Sequence, residues 1–425
     1  MKKTVILAAA GMAAVFAHGA GFGIYEASSR GNAMGGAVVG DTGDATAVYY
    51  NPANMAFSTN VQVAAGVTFI NPFCDITVDH VEQERMNSGW FTVPTFYLTV
   101  PLPAGISFGW GNYTEYGLGS RYGLGWDLAG DTQKTVMRQT TLNPTLAYRI
   151  TDWWSVAVGA RVSWIQFYSN KNPYAGDTYY MLVGGAYVPV PDAYHLNSRL
   201  KGDDWDIGYD AATTFKLSDD LSVGFVYRSQ IRHQIKGHFD LNGYVANPLL
   251  GAMSVHGPAS AVLTLPQSLT MGVNWNATKS WRMGATATFT EWASVKNIHF
   301  RLPATYGYTQ ELHWENTGRF GLGTEYDILD WLTVRGGYVY DMDPTSKYKS
   351  TTMLPAGDRH IIGSGLGFKL CDNLFLDIGY TFIRMNNDDR YITVKGAPGN
   401  ADHVKRFSSR NGASHLISAT VRYSF

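Results

Sequence analysis

The chain ends in the stretch Ile417-Ser418-Ala419-Thr420-Val421-Arg422-Tyr423-Ser424-Phe425. Every second residue of this stretch is apolar or aromatic, and serine, threonine and arginine occupy the positions between. Successive side chains of a β-strand point to opposite faces of the sheet, so a period of two gives a strand one apolar and one polar face. The stretch therefore predicts an amphipathic β-strand.

The same alternation recurs along the chain after short polar turns. After the turn at 150–153, Trp154, Val156 and Val158 share one face, and Ser155 and Arg161 lie on the other. Similar turns lie at 217–221, 276–280, 328–331 and 370–374. Only 16% of the residues are charged, against about 25% in soluble proteins. No later stretch approaches the ~20 consecutive apolar residues of a spanning helix. We therefore predict an all-β, transmembrane, antiparallel β-barrel.

Joining the alternating stretches gives about 14 strands. They span 61–70, 90–100, 104–118, 134–150, 153–170, 200–217, 220–238, 262–276, 280–298, 314–327, 331–342, 358–369, 373–385 and 412–425. An even strand number is typical of bacterial barrels, whose short turns face the periplasm and whose long loops face outside. Closure also removes sheet edges, which lipid cannot satisfy by hydrogen bonding.

The first residues have the pattern of a secretory signal. Met1-Lys2-Lys3 is followed by an apolar run to Ala17 and then by small residues, which predicts a signal peptide at 1–19. Loss of Lys2 and Lys3 takes the formal charge of the chain from −1 to −3. The mature protein is nearly neutral, so nucleic acid is not an expected partner.

The segment from 20 to 59 has no clean alternation and is rich in glycine. Barrels of about eight strands are filled by their own side chains, and barrels of about sixteen leave a water channel. A fourteen-stranded barrel lies between them, so we predict that residues 20–59 form a hatch (plug) inside the lumen. Residues 60–425 would then form the barrel. The alternative is that the segment is a flexible periplasmic tail.

Several motifs resemble the FadL/TodX family of outer-membrane transporters for long-chain fatty acids and other hydrophobic compounds. The N-terminal likeness lies in Ala20-Gly21-Phe22-Gly23 and in Asn51-Pro52-Ala53. It continues in Phe108-Gly109-Trp110-Gly111, Tyr116-Gly117-Leu118, Leu263-Thr264-Leu265-Pro266, Asp358-Arg359-His360 and the terminal Tyr423-Ser424-Phe425. The terminal phenylalanine also resembles the signal by which the barrel assembly machinery recognises its substrates.

This resemblance implies a monomeric barrel in the bacterial outer membrane, surrounded by lipid and carrying no cofactor. It assigns Gly21, Phe22, Asn51, Pro52 and Ala53 to the hatch. It also implies that the ligand is a hydrophobic small molecule. The ligand is expected to be a long-chain fatty acid, with aromatic hydrocarbons as the alternative.

Two outer segments are unusually apolar for loops. The segment 239–261 carries Tyr244, Leu249, Leu250 and Met253, and 168–199 carries several tyrosines and aliphatic residues. Contiguous exposed apolar surface often marks a binding site. By the resemblance, these residues form an extracellular hydrophobic capture surface. Alternatively, the loops pack on each other above the barrel.

Several cations fall on the lumen-facing parity of their strands. The candidates are Arg149, Arg161, Arg228 and Arg335, together with Arg282 and Lys216. Such a cation could bind a fatty acid carboxylate through a charge-assisted hydrogen bond. The alternative is that they pair with carboxylates such as Glu325 or Asp377, or hold the hatch.

Gly117 matches the place where the third strand of the family kinks inward and opens the wall. A residue without Cβ permits such a break, and a ligand could then leave sideways into the membrane. The alternative is ordinary packing of glycine against the neighbouring Tyr113 and Tyr116.

Two other classes of function need different features, and the passive porin stays open as an alternative. A passive porin for small polar solutes would need an unplugged, charged lumen. A lipase-like enzyme would need a serine–histidine pair on the outer surface, and the alternation reveals none. The sequence also lacks a Gly-x-Ser-x-Gly motif and metal-spaced cysteines or histidines. Hence we expect no enzyme activity, no catalytic residue and no metal. Cys74 and Cys371 should lie at opposite ends of the barrel, too far apart for a disulfide.

Overall fold

The structure is a computed structural model that describes residues 21–87, 89–123, 125–175, 177–246, 252–303, 307–355, 357–397 and 400–425. The predicted signal peptide (1–19), Leu249 and Leu250 lie outside these ranges. Most of the described chain is antiparallel β-sheet, and no described helix is long and apolar enough to cross a membrane.

Strands account for nearly all the regular structure. They are β1 (Gln62–Val78), β2 (Glu82–Asn87), β3 (Phe91–Pro101), β4 (Ile106–Tyr113), β5 (Gly117–Arg121), β6 (Lys134–Arg149), β7 (Trp154–Lys171), β8 (Tyr179–Val183), β9 (Ala186–Val190), β10 (Tyr194–Ser218), β11 (Leu221–Arg228), β12 (Ile231–Val245), β13 (Ala252–Leu265), β14 (Ser268–Asn276), β15 (Trp281–Thr290), β16 (Asn297–Arg301), β17 (Tyr308–Glu311), β18 (Thr317–Leu329), β19 (Leu332–Asp341), β20 (Arg359–Lys369), β21 (Leu374–Met385), β22 (Asp388–Val394) and β23 (His403–Ser424). Short helices are α1 (Ser29–Ala33) and α2 (Ala47–Tyr50), with 3₁₀ turns at Pro52–Phe57, Pro103–Gly105 and Trp292–Ser294.

These segments form a closed barrel, because β1 pairs with both β3 and β23. Seven wall strands are each built from two consecutive segments: β2–β3, β4–β5, β11–β12, β13–β14, β15–β16, β17–β18 and β21–β22. Apart from the separate β8–β9 hairpin, the described segments therefore make fourteen antiparallel wall strands. The predicted barrel and its strand number are confirmed.

Two rows of aromatic residues bound the lipid-facing surface. Trp154 and Phe215 stack near the short turns, with ring centroids 6.0 Å apart, and Trp164 lies 6.4 Å from Trp205 nearer the other end. On β7 and on β10 the two rows are ten residues apart. At ~3.3 Å per residue and the usual tilt, this spacing gives a band about 25 Å tall, as expected for an outer-membrane barrel. Between the rows, outward residues such as Val158 are apolar and exposed.

The outer ends of several strands extend further than the alternation predicted. The expected loop 239–261 is largely a hairpin, in which β12 pairs with β13 up to Tyr244↔Ala252. The pairs Asp203↔Lys236 and Asp210↔Arg228 also enclose one more residue on the β11–β12 strand than on β10. This bulge shifts the alternation by one residue, so Ile231 and His233 are buried inside rather than facing lipid.

Candidate functional site

The N-terminal segment (residues 21–59) lies in the lumen. Its polar atoms bond to side chains on strands all round the ring, namely on β1, β3, β4, β7, β10, β11, β14, β18, β20 and β23. The helix α1 begins at Ser28, whose hydroxyl accepts a hydrogen bond from the Gly31 N–H at 3.1 Å. A segment that contacts so many strands from within cannot hang as a free tail.

Asn51, Pro52 and Ala53 fasten one end of this segment to the wall. The buried Asn51 Nδ2 donates to the Val39 carbonyl and to Thr214 Oγ1, each at 2.9 Å, and its Oδ1 accepts from the Ala53 N–H at 3.1 Å. Pro52 starts a 3₁₀ turn, where a missing N–H costs nothing. The Ala53 carbonyl accepts a hydrogen bond from the Ser155 hydroxyl at 2.8 Å.

Ion pairs with the wall hold the middle of the segment. Arg30 donates to both oxygens of Glu325, at 2.8 and 3.1 Å. Glu325 is 3% exposed, and it also binds Arg282 at 2.8 Å and Arg335 at 2.9 Å. Arg335 reaches Asp377 as well, at 2.8 Å. Because each of these arginines has an acidic partner, this cluster fixes the N-terminal segment to β15, β18, β19 and β21.

The other predicted lumen cations have different surroundings. Arg161 is buried and binds Glu115 at 2.6 Å, and Arg228 binds the same carboxylate at 3.3 Å. Arg228 also donates to the Tyr49 carbonyl. Arg149 is exposed at the end of β6, beside the periplasmic turn, and is not brought into the lumen. Lys216 lies over the Phe57 ring.

The third wall strand bends inward between β4 and β5. Glu115 turns into the lumen towards the two arginines, and the N-terminal segment pairs with the bend. The Ile24 N–H donates to the Glu115 carbonyl at 2.8 Å, and the Gly117 N–H donates to the Phe22 carbonyl at 3.0 Å. The N-terminal segment thus satisfies the backbone groups that the broken ladder would otherwise leave unpaired.

This bend leaves a gap in the described wall. The last pair between β3 and β4 is Phe96↔Asn112, and β5 pairs only with β6. A cavity of about 570 Å³ passes through the gap. It is lined by lumen-facing residues such as Tyr116 and Met137, and also by outward-facing ones such as Pro94 and Trp164. The barrel interior and the lipid face of the wall therefore share one cavity at Gly117.

The inner part of this cavity is mostly apolar and aromatic. Phe22 packs against Trp292 at 4.8 Å, Trp314 at 5.3 Å and Tyr116 at 5.8 Å between ring centroids. At the outer end Asp343 also lines the cavity and pairs with Arg390. Burial raises the pKa of the Asp343 carboxyl, and the positive charge of Arg390 opposes that rise.

Of the predicted capture residues the structure describes Tyr244 and Met253, and it does not join these two into one surface. Tyr244 is exposed on the outer face of the β12–β13 hairpin, beside His195. Met253 is half-buried on the opposite face, in an apolar cluster with Tyr194 and Val245. The larger exposed apolar surface lies on the β8–β9 hairpin of the 168–199 segment, where Leu182 and Tyr187 are cross-strand partners.

Two features of the site were missed at the level of sequence. Arg138 lines the cavity directly opposite Gly117 and is exposed. The sequence feature that could have revealed Arg138 was a charged residue at a lipid-facing position of β6. Glu115, the common partner of Arg161 and Arg228, carried no signal, because the inward bend that buries it interrupts the alternation.

A serine–histidine pair does exist on the outer surface, contrary to expectation. Ser254 Oγ lies 2.6 Å from His256 Nε2, and Asp240 Oδ1 lies 2.9 Å from His256 Nδ1. The sequence did not reveal it because residues 239–261 were expected to form a loop, whereas Ser254 and His256 lie two residues apart on one face of β13, with Asp240 on the neighbouring strand β12. His256 and Asp240 are 57% and 49% exposed, and neither residue lines the cavity at Gly117.

Residues 10–425 match the family described as outer membrane protein transport protein (OMPP1/FadL/TodX). The chain belongs to this family. It is 25% identical, over 461 aligned residues, to the long-chain fatty acid transport protein of Escherichia coli O6:H1, covering 100% of this chain and 98% of that protein. It is 26% identical, over 441 residues, to the 47 kDa outer membrane protein of Pasteurella multocida, again covering 100% of this chain and 98% of that protein. The family resemblance and the outer-membrane location are confirmed.

Solved structures of two FadL/TodX proteins have the same fold. A Pseudomonas aeruginosa FadL homologue superposes with a TM-score of 0.83 at 21% identity, covering 96% of this chain and 100% of that one. The toluene transporter TodX of P. putida superposes with a TM-score of 0.71 at 16% identity, covering 94% and 98%. At these identities the superpositions establish the barrel fold alone.

Proposed function

We propose that this barrel imports hydrophobic compounds, chiefly long-chain fatty acids, by diffusion across the outer membrane. The observation that carries the proposal is the cavity that passes through the wall at Gly117, because it links an apolar interior to the lipid face. Membership of a family of outer-membrane transport proteins supports the same conclusion.

Passage needs several moderate binding sites rather than one tight one. Each CH₂ group gains about 0.8 kcal/mol on leaving water, so a sixteen-carbon chain gains on the order of 12 kcal/mol before ordering costs. A single site that captured all of this energy would retain the ligand. The exposed β8–β9 hairpin and the aromatic group around Phe22 supply two separate apolar sites.

In this proposal residues 20–59 act as the hatch. The described residues 21–59 lie in the lumen and complete the backbone hydrogen bonds of the bend, so in this proposal a ligand does not pass straight to the periplasm. The ligand instead leaves sideways, through the gap between β3 and β5. The gap lies level with the outer aromatic row, because Thr140 on β6 pairs with Trp164.

Arg138 is the residue expected to distinguish fatty acids from aromatic hydrocarbons. It stands at the gap, near the level of lipid headgroups, and forms no ion pair with any described residue. A fatty acid carboxylate could bind it on leaving through a charge-assisted hydrogen bond. Aromatic hydrocarbons have no such group. Aromatic hydrocarbons are the second candidate ligands, because they could pack against an aromatic cluster formed by Phe22, Tyr116, Trp292 and Trp314.

Uptake by cells that lack their own transporter tests the proposal. Cells that make the protein should take up radiolabelled palmitate or toluene, and Asn51→Ala should reduce uptake of the imported compound. Asn60→Ala is the control, since Asn60 is exposed in the turn that directly precedes β1. If a correctly inserted barrel admits small sugars but neither hydrophobic compound, the protein is a porin.

A second pair of variants identifies the ligand class. Arg138→Gln should reduce palmitate uptake and leave toluene uptake unchanged. Arg149→Gln is a matched control, because it removes an exposed arginine from the other end of the same strand. Equal losses for both compounds would show that Arg138 does not bind the carboxylate.

A further inference from the structure

An unpaired basic surface lies outside the barrel, on the sheet formed by β10, β12, β13 and β16. Its cations are Arg199, Lys201, Arg232, Lys236 and Arg301, all of them exposed. None of the five forms an ion pair or a side-chain hydrogen bond with a described residue. By contrast Arg390, Lys405, Arg406 and Arg410, on β22 and β23, each pair with an aspartate.

Strand register places three of these cations, Lys201, Lys236 and Arg301, close together. Lys236 on β12 pairs with Ser260 on β13, which pairs with Arg301 on β16, so the two cations stand two strands apart, or about 10 Å. Lys201 is opposite His238, and so it lies diagonally from Lys236 at about 7–8 Å. Two acids share the surface: Asp203 is opposite Lys236, and Asp240 is hydrogen-bonded to His256. Five cations against two carboxylates leave it positive.

The height of this surface matches the headgroup layer of the outer leaflet. Trp205 belongs to the outer aromatic row, and Asp203, in line with Lys236 and Arg301, is two residues beyond it. Lys201 is four residues beyond. At ~3.3 Å per residue and the usual strand tilt, these rows lie about 5 and 10 Å above the apolar band. A bilayer's polar layer is itself about 5–8 Å thick on each side, so the Lys236 row lies within it and the Lys201 row lies just above its outer edge.

We propose that this basic surface binds the phosphorylated headgroup of an outer-leaflet lipid. Phosphate is the chemistry that clustered lysine and arginine recognise, and a lipid brings it to this height with its acyl chains against the apolar band. Lys201, Lys236 and Arg301 bind the headgroup, and Trp205 contacts the start of the acyl chains. The inference is independent of the transported ligand.

The test measures lipid binding to the full barrel in detergent micelles by native mass spectrometry. The probes are diphosphorylated lipid A, its dephosphorylated form and phosphatidylcholine. We compare the wild-type protein with Lys201→Gln/Lys236→Gln. The control is Lys279→Gln/Lys347→Gln, which removes two exposed lysines elsewhere: one in a periplasmic turn and one in an outer segment.

The wild-type protein should bind the phosphorylated lipid much more tightly than the other two. Two lysines near a membrane surface are worth on the order of 30-fold in affinity at low salt, so the first double variant should weaken binding by about that factor. The control should bind like the wild type. Equal loss in both variants, or equal binding of the dephosphorylated lipid, would overturn the proposal. Full displacement by excess inorganic phosphate would assign the surface to soluble phosphate instead and overturn it too.

Discussion

At the scale of the residue, the Glu325 carboxylate stands at the centre of a cluster of charged side chains in the lumen. Glu325 is 3% exposed and forms ion pairs with Arg30, Arg282 and Arg335, so removing its charge takes one acidic partner from each of these three guanidinium groups. Breaking a buried pair in this way costs on the order of 3–5 kcal/mol. Glu325→Gln should therefore lower the free energy of unfolding measured in urea. It should also speed hydrogen exchange at residues 30–44, which Arg30 helps to hold.

Asp372→Asn is the control for that prediction. Asp372 pairs with Lys369 in a periplasmic turn, and its side chain is 94% exposed. Exposed pairs contribute little, because water screens them, so this variant should unfold like the wild type. If the two variants were equally stable, the Glu325 cluster would not hold the N-terminal segment to the wall.

The lumen-facing arginines could be predicted from the sequence more readily than the carboxylates that pair with them. Parity correctly placed Arg161, Arg228 and Arg335 inside, because alternation depends only on local geometry. It could not show that Glu115 would neutralise two of them, since that contact depends on the bend between β4 and β5. Arg149 kept the right parity but lies at the strand end, where parity no longer implies burial.

At the scale of the element, the break between β4 and β5 is the feature on which the proposed lateral exit depends. A Cβ at Gly117 would overlap the Ile24 Cδ1 atom, so Gly117→Val should disturb the pairing of the N-terminal segment with the bend. We expect palmitate uptake to fall severalfold while the barrel still assembles. Heat-modifiable electrophoretic mobility would report assembly separately from uptake.

Gly336→Val makes the matched comparison. Gly336 is also a wall-strand glycine, but a Cβ there would meet nothing within 4 Å. This variant should assemble and transport normally. Normal transport by Gly117→Val would mean that the bend only packs glycine against its aromatic neighbours and is not an exit.

The β8–β9 hairpin is the element expected to capture ligand. Leu182 and Tyr187 are cross-strand partners that are 62% and 73% exposed. Leu182→Ser/Tyr187→Ser should reduce uptake at low ligand concentration, where capture limits the rate, and have little effect at saturation. Tyr348→Ser, which removes a 71% exposed tyrosine from a different outer segment, should change neither. Equal uptake by both variants at low concentration would exclude this hairpin as a capture site.

The number of wall strands could be predicted from the sequence, whereas the outer hairpin of β12 and β13 could not. Within the membrane, lipid on one face enforces a clean alternation, and all fourteen wall strands were found. Beyond the outer aromatic row, both faces of β12 and β13 meet water or loops. Polar residues such as His238 and Asn242 then occupy paired strands that resemble a loop in composition.

At the scale of the whole molecule, the barrel and the N-terminal segment are interdependent. Fourteen strands enclose a lumen too wide for the wall's own side chains to fill, and residues 21–59 bond to ten of the strands that surround it. The same segment supplies the backbone partners of the inward bend at Ile24 and Gly117. In the proposed function, one segment therefore both blocks the aqueous route and holds open the route through the wall.

Single-channel recording in planar bilayers tests this double role. The wild-type barrel should conduct few ions, whereas a variant lacking residues 21–58 should form a steadily open pore, because nothing else in the described lumen spans it. The variant should also lose hydrophobic uptake, since the bend loses its backbone partners. Assembly of the deleted barrel is checked by heat-modifiable mobility before recording. Equal conductance of the two proteins would mean that the segment is no plug, and ion flow through both would favour a porin.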